Sequence, residues 1–128
     1  MGFWLKSVQL GSPRLPGEGL RLGTVRYLPR GVRKEDYARR NYFDVWLPLL
    51  APSQELIREL KASRISMSTF ARRYRSEMKR AEPQQVIRLI AHLAADTPLS
   101  IGCYCEQESR CHRSVLFELI REAGGTKG

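Results

Sequence analysis

The feature that most restricts the fold is an apolar run, a polar loop and an amphipathic run in immediate succession near the end of the chain. The apolar run, residues 98–102, has the length and composition of a buried strand. The amphipathic run, residues 115–123, has apolar side chains at helical spacing and stops at Gly124. This order of strand, loop and helix is typical of an α/β sheet. In such sheets the loop beyond the carboxyl end of a strand is the usual place for a ligand.

The rest of the chain contains further patterns of the same two kinds. Residues 4–10 and 20–28 read as strands, and the second ends at Pro29 because proline cannot continue a ladder. Amphipathic helical patterns cover residues 53–60, 68–80 and 83–95, and residues 34–40 fit a short helix. The aromatic segment 42–47 is left open. We therefore predict one compact α/β domain over residues 1–128, a small, mainly parallel sheet flanked by helices in a Rossmann-like three-layer arrangement.

Composition limits the class of protein. A chain of 128 residues with 42% hydrophobic and 27% charged residues is expected to fold as one globular domain. No apolar stretch approaches the ~20 residues that cross a bilayer, and the first residues do not resemble a secretory signal. We therefore expect a cytoplasmic protein with reduced thiols and no membrane partner. The odd count of three cysteines agrees, since they cannot all pair within one chain.

The charge balance predicts that the partners of this protein are anionic. The formal net charge is +9, from 22 Lys and Arg against 13 Asp and Glu. Such a surface attracts nucleic acid, nucleotides and phosphorylated metabolites. The densest basic patch lies on the helical pattern at Arg72, Arg73, Arg75, Lys79 and Arg80. That helix either binds nucleic acid through phosphates, as a non-enzymatic module, or is simply solvated. Oligomeric state is left open.

The polar loop holds the candidate catalytic residues. The stretch from Cys103 to Arg113 contains all three cysteines and one of the two histidines. Cys111 is predicted at the start of the last helix, where unpaired N–H groups and nearby cations favour a thiolate. We assign Cys111 and Cys103 as candidate catalytic thiols and His112 as a candidate acid and base.

Arginines are the candidate anion contacts. Arg110 and Arg113 flank Cys111 in the sequence, and Arg113 could clamp a phosphate or carboxylate. Arg30 follows the second predicted strand between Pro29 and Gly31, which would hold its backbone in a turn. If the second predicted strand lies beside the strand that precedes the cysteines, Arg30 supplies a second positively charged wall of the site. Otherwise the segment is a basic turn with no role in the site.

Two other interpretations of the cysteine-rich stretch stay open. Three thiols and an imidazole suit zinc or an iron cluster, which would make the protein a metal-binding or thiol redox-sensing protein. The spacing is poor for a metal site, since the adjacent Cys111 and His112 do not ordinarily face one point, and we assign no metal ligand. Alternatively the cysteines are small buried hydrophobic residues that fill gaps in the core. The question of a cofactor is left open.

Several segments together resemble the domain of unknown function 488 family, in particular its YeaO-like branch. They are residues 28–34, 44–47, 50–53, 70–75, 102–105 and 111–114. The most specific part is the run Cys111, His112, Arg113, Ser114 with Cys103 eight positions before it. The resemblance implies a small α/β domain whose site is formed by the Pro-Arg-Gly loop and the Cys-His-Arg loop, with Ser114 among the binding residues. It implies no particular reaction. Many relatives have an acidic residue at the position of Cys105, which argues against a three-cysteine metal site.

Overall fold

The computed structural model describes residues 3–106 and 111–125, and contains a parallel sheet with four helices. The strands are β1 (Leu5–Gln9), β2 (Leu20–Gly23), β3 (Val45–Trp46) and β4 (Leu99–Cys103). The helices are α1 (Gln54–Lys61), α2 (Met67–Met78), α3 (Ala81–Ala94) and α4 (His112–Gly125). Short 3-10 turns cover Lys34–Asp36 and Pro48–Leu50. The predicted α/β class is confirmed.

The strand order is β1-β4-β2-β3, and every neighbouring pair is parallel. Strand β4 therefore lies between β1 and β2, with Gly102 opposite both Val8 and Gly23. All five residues of β4 are buried, as expected for a central strand of a parallel sheet covered by helices. This order brings the carboxyl ends of β4 and β2 side by side. The loops that follow these two strands therefore meet at one edge of the sheet.

Local signals explain where two of the helices begin. Ser53 caps α1 by accepting a hydrogen bond from the backbone N–H of Leu56, and Ser66 caps α2 in the same way through Thr69. Two predictions were too long: the second strand ends at Gly23 rather than continuing to residue 28, and only Lys34–Asp36 of the predicted short helix is helical. The undecided segment 42–47 contains β3, which pairs with β2.

Two apolar clusters are buried. The larger lies between the sheet and the helices and includes Leu99 and Ile101 of β4 with Leu116 and Ile120 of α4. The smaller lies at the carboxyl end of the sheet and consists of Leu10, Val25, Phe43, Cys103 and Cys111. The site described below is built on this smaller cluster.

Two glycines leave space for the smaller apolar cluster at the ends of β2 and β4. A Cβ atom on Gly102 would lie 2.4 Å from Leu10, and one on Gly23 would lie 2.4 Å from Phe43. Side chains at either position would displace the apolar residues that support the two cysteines. The small residues therefore let the cluster pack directly against the ends of β2 and β4.

Among the described residues, no helix combines the length and the apolarity needed to span a bilayer.

Candidate thiol and anion site

The two candidate catalytic thiols meet at the junction of β4 and α4. Cys103 is the last residue of β4 and Cys111 directly precedes α4; each is only 2% exposed. Their sulfurs are joined as a disulfide, and their Cα atoms are 7.6 Å apart. This differs from the expectation of reduced thiols, because the last residue of β4 and the residue before α4 lie side by side. The third cysteine, Cys105, is exposed and free.

His112 is a neutral imidazole held in one tautomer. Its Nε2 lies 2.6 Å from the carbonyl oxygen of Thr24 and 3.2 Å from the Thr24 hydroxyl. A carbonyl oxygen only accepts, so Nε2 carries the proton and Nδ1 has a lone pair. That Nδ1 lies 3.7 Å from the sulfur of Cys111. Burial lowers the pKa of His112 to about 4. The ring therefore presents an unprotonated nitrogen to Cys111 at neutral pH.

Arg113 contacts the end of β4 through its Nη1 atom. Its Nη1 donates to the carbonyl oxygen of Cys105 at 2.8 Å and lies 3.4 Å from both the carbonyl oxygen and the sulfur of Cys103. A buried guanidinium at this distance stabilises negative charge on the Cys103 sulfur when the pair is reduced. The same side chain ties the end of β4 to the first turn of α4. Ser114 donates its hydroxyl to the carbonyl oxygen of Cys111 at 3.1 Å, which holds the cysteine at the helix start.

The thiols line a small cavity, which we call the thiol chamber. Its volume is about 210 Å³, and Cys103, Cys111 and His112 form one wall. Much of the remaining lining is apolar and comes from the segment after β2, from α1 and the residues before it, and from α2: Val25, Pro52, Ile57, Leu60 and Phe70. An apolar surround strengthens electrostatic interactions within it. The chamber therefore suits a reaction between a sulfur and one small group, and is too small for a whole metabolite.

A larger cavity of about 510 Å³, which we call the basic groove, adjoins the chamber. Arg30 and Lys61 supply its cations, and Tyr27, Tyr42 and Tyr104 supply aromatic rings. Tyr27, Lys61 and Tyr104 line both cavities. Among the described residues, neither Arg30 nor Lys61 takes part in an ion pair. The structure thus brings Arg30 to the same end of the sheet as the thiols.

The predicted site residues therefore fall into three groups. Cys103, Cys111 and His112 meet in the chamber, with Arg113 and Ser114 behind them. Arg30 lies in the adjoining groove. Arg110 lies outside the described residues.

Sequence reasoning missed Lys61 and the aromatic wall. Lys61 is the last residue of α1 and belongs to no motif, so only the packing of α1 reveals its position. Tyr104 stands between two cysteines, where its placement in the stretch could have drawn attention. Thr24 directly follows β2, and its role in orienting His112 depends on strand order, which no sequence pattern reveals.

When Cys103 and Cys111 are reduced, three ligand atoms at the site could hold a metal ion. The sulfurs of Cys103 and Cys111 and one ring nitrogen of His112 lie within 4.8 Å of one another. The expectation that adjacent Cys111 and His112 do not face one point is wrong, because both precede or begin a helix whose first turn folds over the chamber. The exposed Cys105 is not part of this group.

The basic helix α2 is less cationic than its sequence suggests. Arg73 donates to Glu59 of α1 at 2.8 Å, and Arg75 lies 3.7 Å from Glu122 of α4. Two of its cations therefore serve contacts between helices, which weakens the case for a continuous phosphate-binding surface.

Fold and site together define a parallel α/β protein with a buried thiol pair where the central strand meets the last helix. The family described as the active DUF488-N3 subclade, DUF488-N3a, matches residues 5–124, so the chain belongs to this family. The chain is also 28% identical over 109 residues to the uncharacterized protein YeaO of Escherichia coli strain K12, covering 85% of this chain and 90% of that protein. No solved structure matches the chain.

Proposed function

We propose that the protein binds an anionic small molecule, such as a nucleotide or another phosphorylated compound, and presents its reactive end to the thiols. The observation that carries this proposal is the shared wall of the two cavities, formed by Tyr27, Lys61 and Tyr104. A ligand held by Arg30 and Lys61 would lie against the residues that also line the chamber. Cations without acidic partners attract a phosphate more strongly than cations already paired.

The chamber supports a thiol reaction in the reduced state. Cys111 is the candidate nucleophile, since it stands at the start of α4 and its sulfur lies 3.7 Å from Nδ1 of His112. The lone pair on Nδ1 of His112 can accept a hydrogen bond from the Cys111 thiol because Nε2 already donates to Thr24. Cys103 is the second thiol, and Arg113 stabilises its anionic form. We therefore assign Arg113 to stabilising the Cys103 sulfur, and Arg30 and Lys61 to binding the negative charge of the ligand.

Calorimetric titration of the full chain, kept reduced, tests the anion site. Inorganic phosphate and adenosine monophosphate are titrated into the unmodified protein and into Arg30→Gln and Lys61→Gln. We expect each substitution to weaken nucleotide binding about tenfold or more, as for the loss of a charge-assisted hydrogen bond. Arg72→Gln is the matched control, because Arg72 is an exposed arginine on α2, outside both cavities. Equal losses in all three variants would contradict the proposal and indicate nonspecific attraction by the net charge.

Elemental analysis tests the role of the thiols. Protein purified under reducing conditions without chelator is expected to contain no stoichiometric metal, and alkylation is expected to modify Cys111. Near one zinc or iron per chain would instead make Cys103, Cys111 and His112 ligands. That result would overturn the nucleophile assignment and leave the anion site to be judged by the titrations.

A further inference from the structure

The basic groove has an aromatic wall that the anion site alone does not explain. Tyr27 and Tyr104 are 49% and 37% exposed, although both rings line the groove. Exposed aromatic side chains grouped around cations are common where a protein binds a planar ligand, because the rings offer large contact area at low entropic cost. The tyrosines that line the groove therefore indicate which kind of ligand it binds.

The ring of Tyr104 is held in place before any ligand arrives. Its hydroxyl donates to the carbonyl oxygen of Tyr27 at 2.8 Å, and its ring meets Tyr42 edge to face at 6.4 Å between centroids. Gln9 donates to its backbone carbonyl oxygen at 3.2 Å. Burial, together with the neighbouring tyrosines, raises the pKa of Tyr104 to about 12. The hydroxyl is thus engaged, and what this residue offers a ligand is the surface of its ring.

We propose that the ligand of the groove is a phosphate ester that carries a planar aromatic ring, the chemistry of a nucleoside phosphate. This inference rests on the proposed function and names its substrate class. The planar ring packs on Tyr27 and Tyr104, and the phosphate binds Arg30 and Lys61. Stacking on aromatic side chains is tolerant of base identity, since every base has a π-face.

The sizes of the two cavities support this assignment. The groove, at about 510 Å³, lies within the range of pockets that hold small metabolites and cofactors. The thiol chamber, at about 210 Å³, admits only part of such a molecule. A sugar phosphate without a ring would bind the cations but leave the aromatic wall in contact with water. A ring covers that wall and gains the apolar contact.

Titration of paired probes into the reduced, full-length protein tests the inference. The probes are the monophosphates of adenosine, guanosine, cytidine and uridine, with ribose 5-phosphate as the probe that has the same phosphate and no ring. We expect at least one nucleotide to bind about tenfold more tightly than ribose 5-phosphate, in line with one stacking contact.

Tyrosine variants locate the effect. Tyr104→Leu and Tyr27→Leu are each expected to weaken nucleotide binding about tenfold and to change ribose 5-phosphate binding less than twofold. Tyr104→Phe keeps the ring and is expected to retain most of the nucleotide affinity. Trp4→Leu is the matched control, since Trp4 is also half exposed but lines neither cavity. Melting temperatures verify that each variant folds. If Tyr104→Leu does not fold, Tyr27→Leu provides the test.

The outcomes separate this inference from the proposal on which it rests. If ribose 5-phosphate binds as tightly as every nucleotide, and the tyrosine variants bind both equally well, the aromatic inference is wrong and the anion site stands. If neither probe binds, or if Arg30→Gln and Lys61→Gln leave binding unchanged, the proposed function itself is wrong.

Discussion

The molecule contains two buried clusters of charged or ionisable side chains. They differ in whether their polar atoms are enclosed by hydrogen bonds or face a cavity. In the first, Arg21, which is 0% exposed, donates to both carboxylate oxygens of Glu18 at 3.0 and 3.1 Å. It also donates to the backbone oxygens of Ser12 and Asn41. In the second, the sulfurs of Cys103 and Cys111 and Nδ1 of His112 meet at a cavity. The first cluster is closed, whereas the second faces open space.

This difference supports the proposal that the first cluster is structural and the second is functional. Burial alone would raise the pKa of Glu18, but hydrogen bonds from Arg21 and the Leu15 N–H and the charges of Arg21 and Arg14 lower it overall. The hydrogen bonds of the Glu18 carboxylate thus hold the loop after β1 against β2. The chamber keeps the Nδ1 lone pair of His112 at a cavity beside the Cys103–Cys111 disulfide, and reduction of that disulfide would supply two thiols able to react.

The largest expected effect on stability comes from disrupting the cluster of Arg21 and Glu18. Arg21→Met leaves the buried Glu18 carboxylate without its cation, so we expect a loss of about 3–5 kcal/mol in the free energy of unfolding, measured with urea. The matched control is Arg14→Met, because Arg14 pairs with Asp44 at a partly exposed site. That change is expected to cost about 1 kcal/mol or less. Adding Glu18→Leu to Arg21→Met should recover part of the loss. A loss below about 1 kcal/mol for Arg21→Met would show that the cluster does not hold the fold.

The second effect concerns pH and sharpens the description of the chamber. Burial lowers the folded pKa of His112 to about 4, from a usual value of 6.5. The unfolded chain therefore binds the proton first as pH falls, and stability that is complete above pH 6.5 is lost as pH falls towards 4. A shift of this size corresponds to about 3 kcal/mol.

His112→Asn removes this titration and is the comparison that isolates it. Urea unfolding at pH 7.5 and pH 4.5 should show a larger stability loss in the unmodified protein than in the variant. Carboxylates such as Asp44, whose pKa is also lowered, contribute equally to both proteins. Equal losses in the two proteins would mean that the imidazole is not held neutral by burial.

The smallest effect tests whether the thiols serve packing or chemistry. Under reducing conditions, Cys111→Ser should cost about 1 kcal/mol in the free energy of unfolding, since a serine hydroxyl can also donate to Nδ1 of His112. The same change should abolish alkylation at this position. Cys105→Ser is the control, because Cys105 is exposed and its substitution is expected to change stability little. A loss above about 3 kcal/mol for Cys111→Ser would favour the alternative in which the cysteine fills the core.

Much of the fold could be predicted from local patterns. The first and last strands and three of the helices lie close to their predicted positions, because hydrophobic periodicity and serine caps act within a few residues. The second strand was predicted too long, since residues 24–28 have strand-like composition but leave the ladder beyond Gly23. There the chain turns to form the wall of both cavities, a role that alternation of apolar residues does not reveal.

The sequence by itself determined the class of fold and the position of the thiols at the end of a strand and the start of a helix, because both depend on residues close together in the chain. Only the tertiary structure decided which side chains those thiols meet. The placement of β4 between β1 and β2 puts Thr24 against His112, and the packing of α1 brings Lys61 to the chamber. These contacts join residues far apart in the chain, and they depend on strand order and helix packing, which no local pattern encodes.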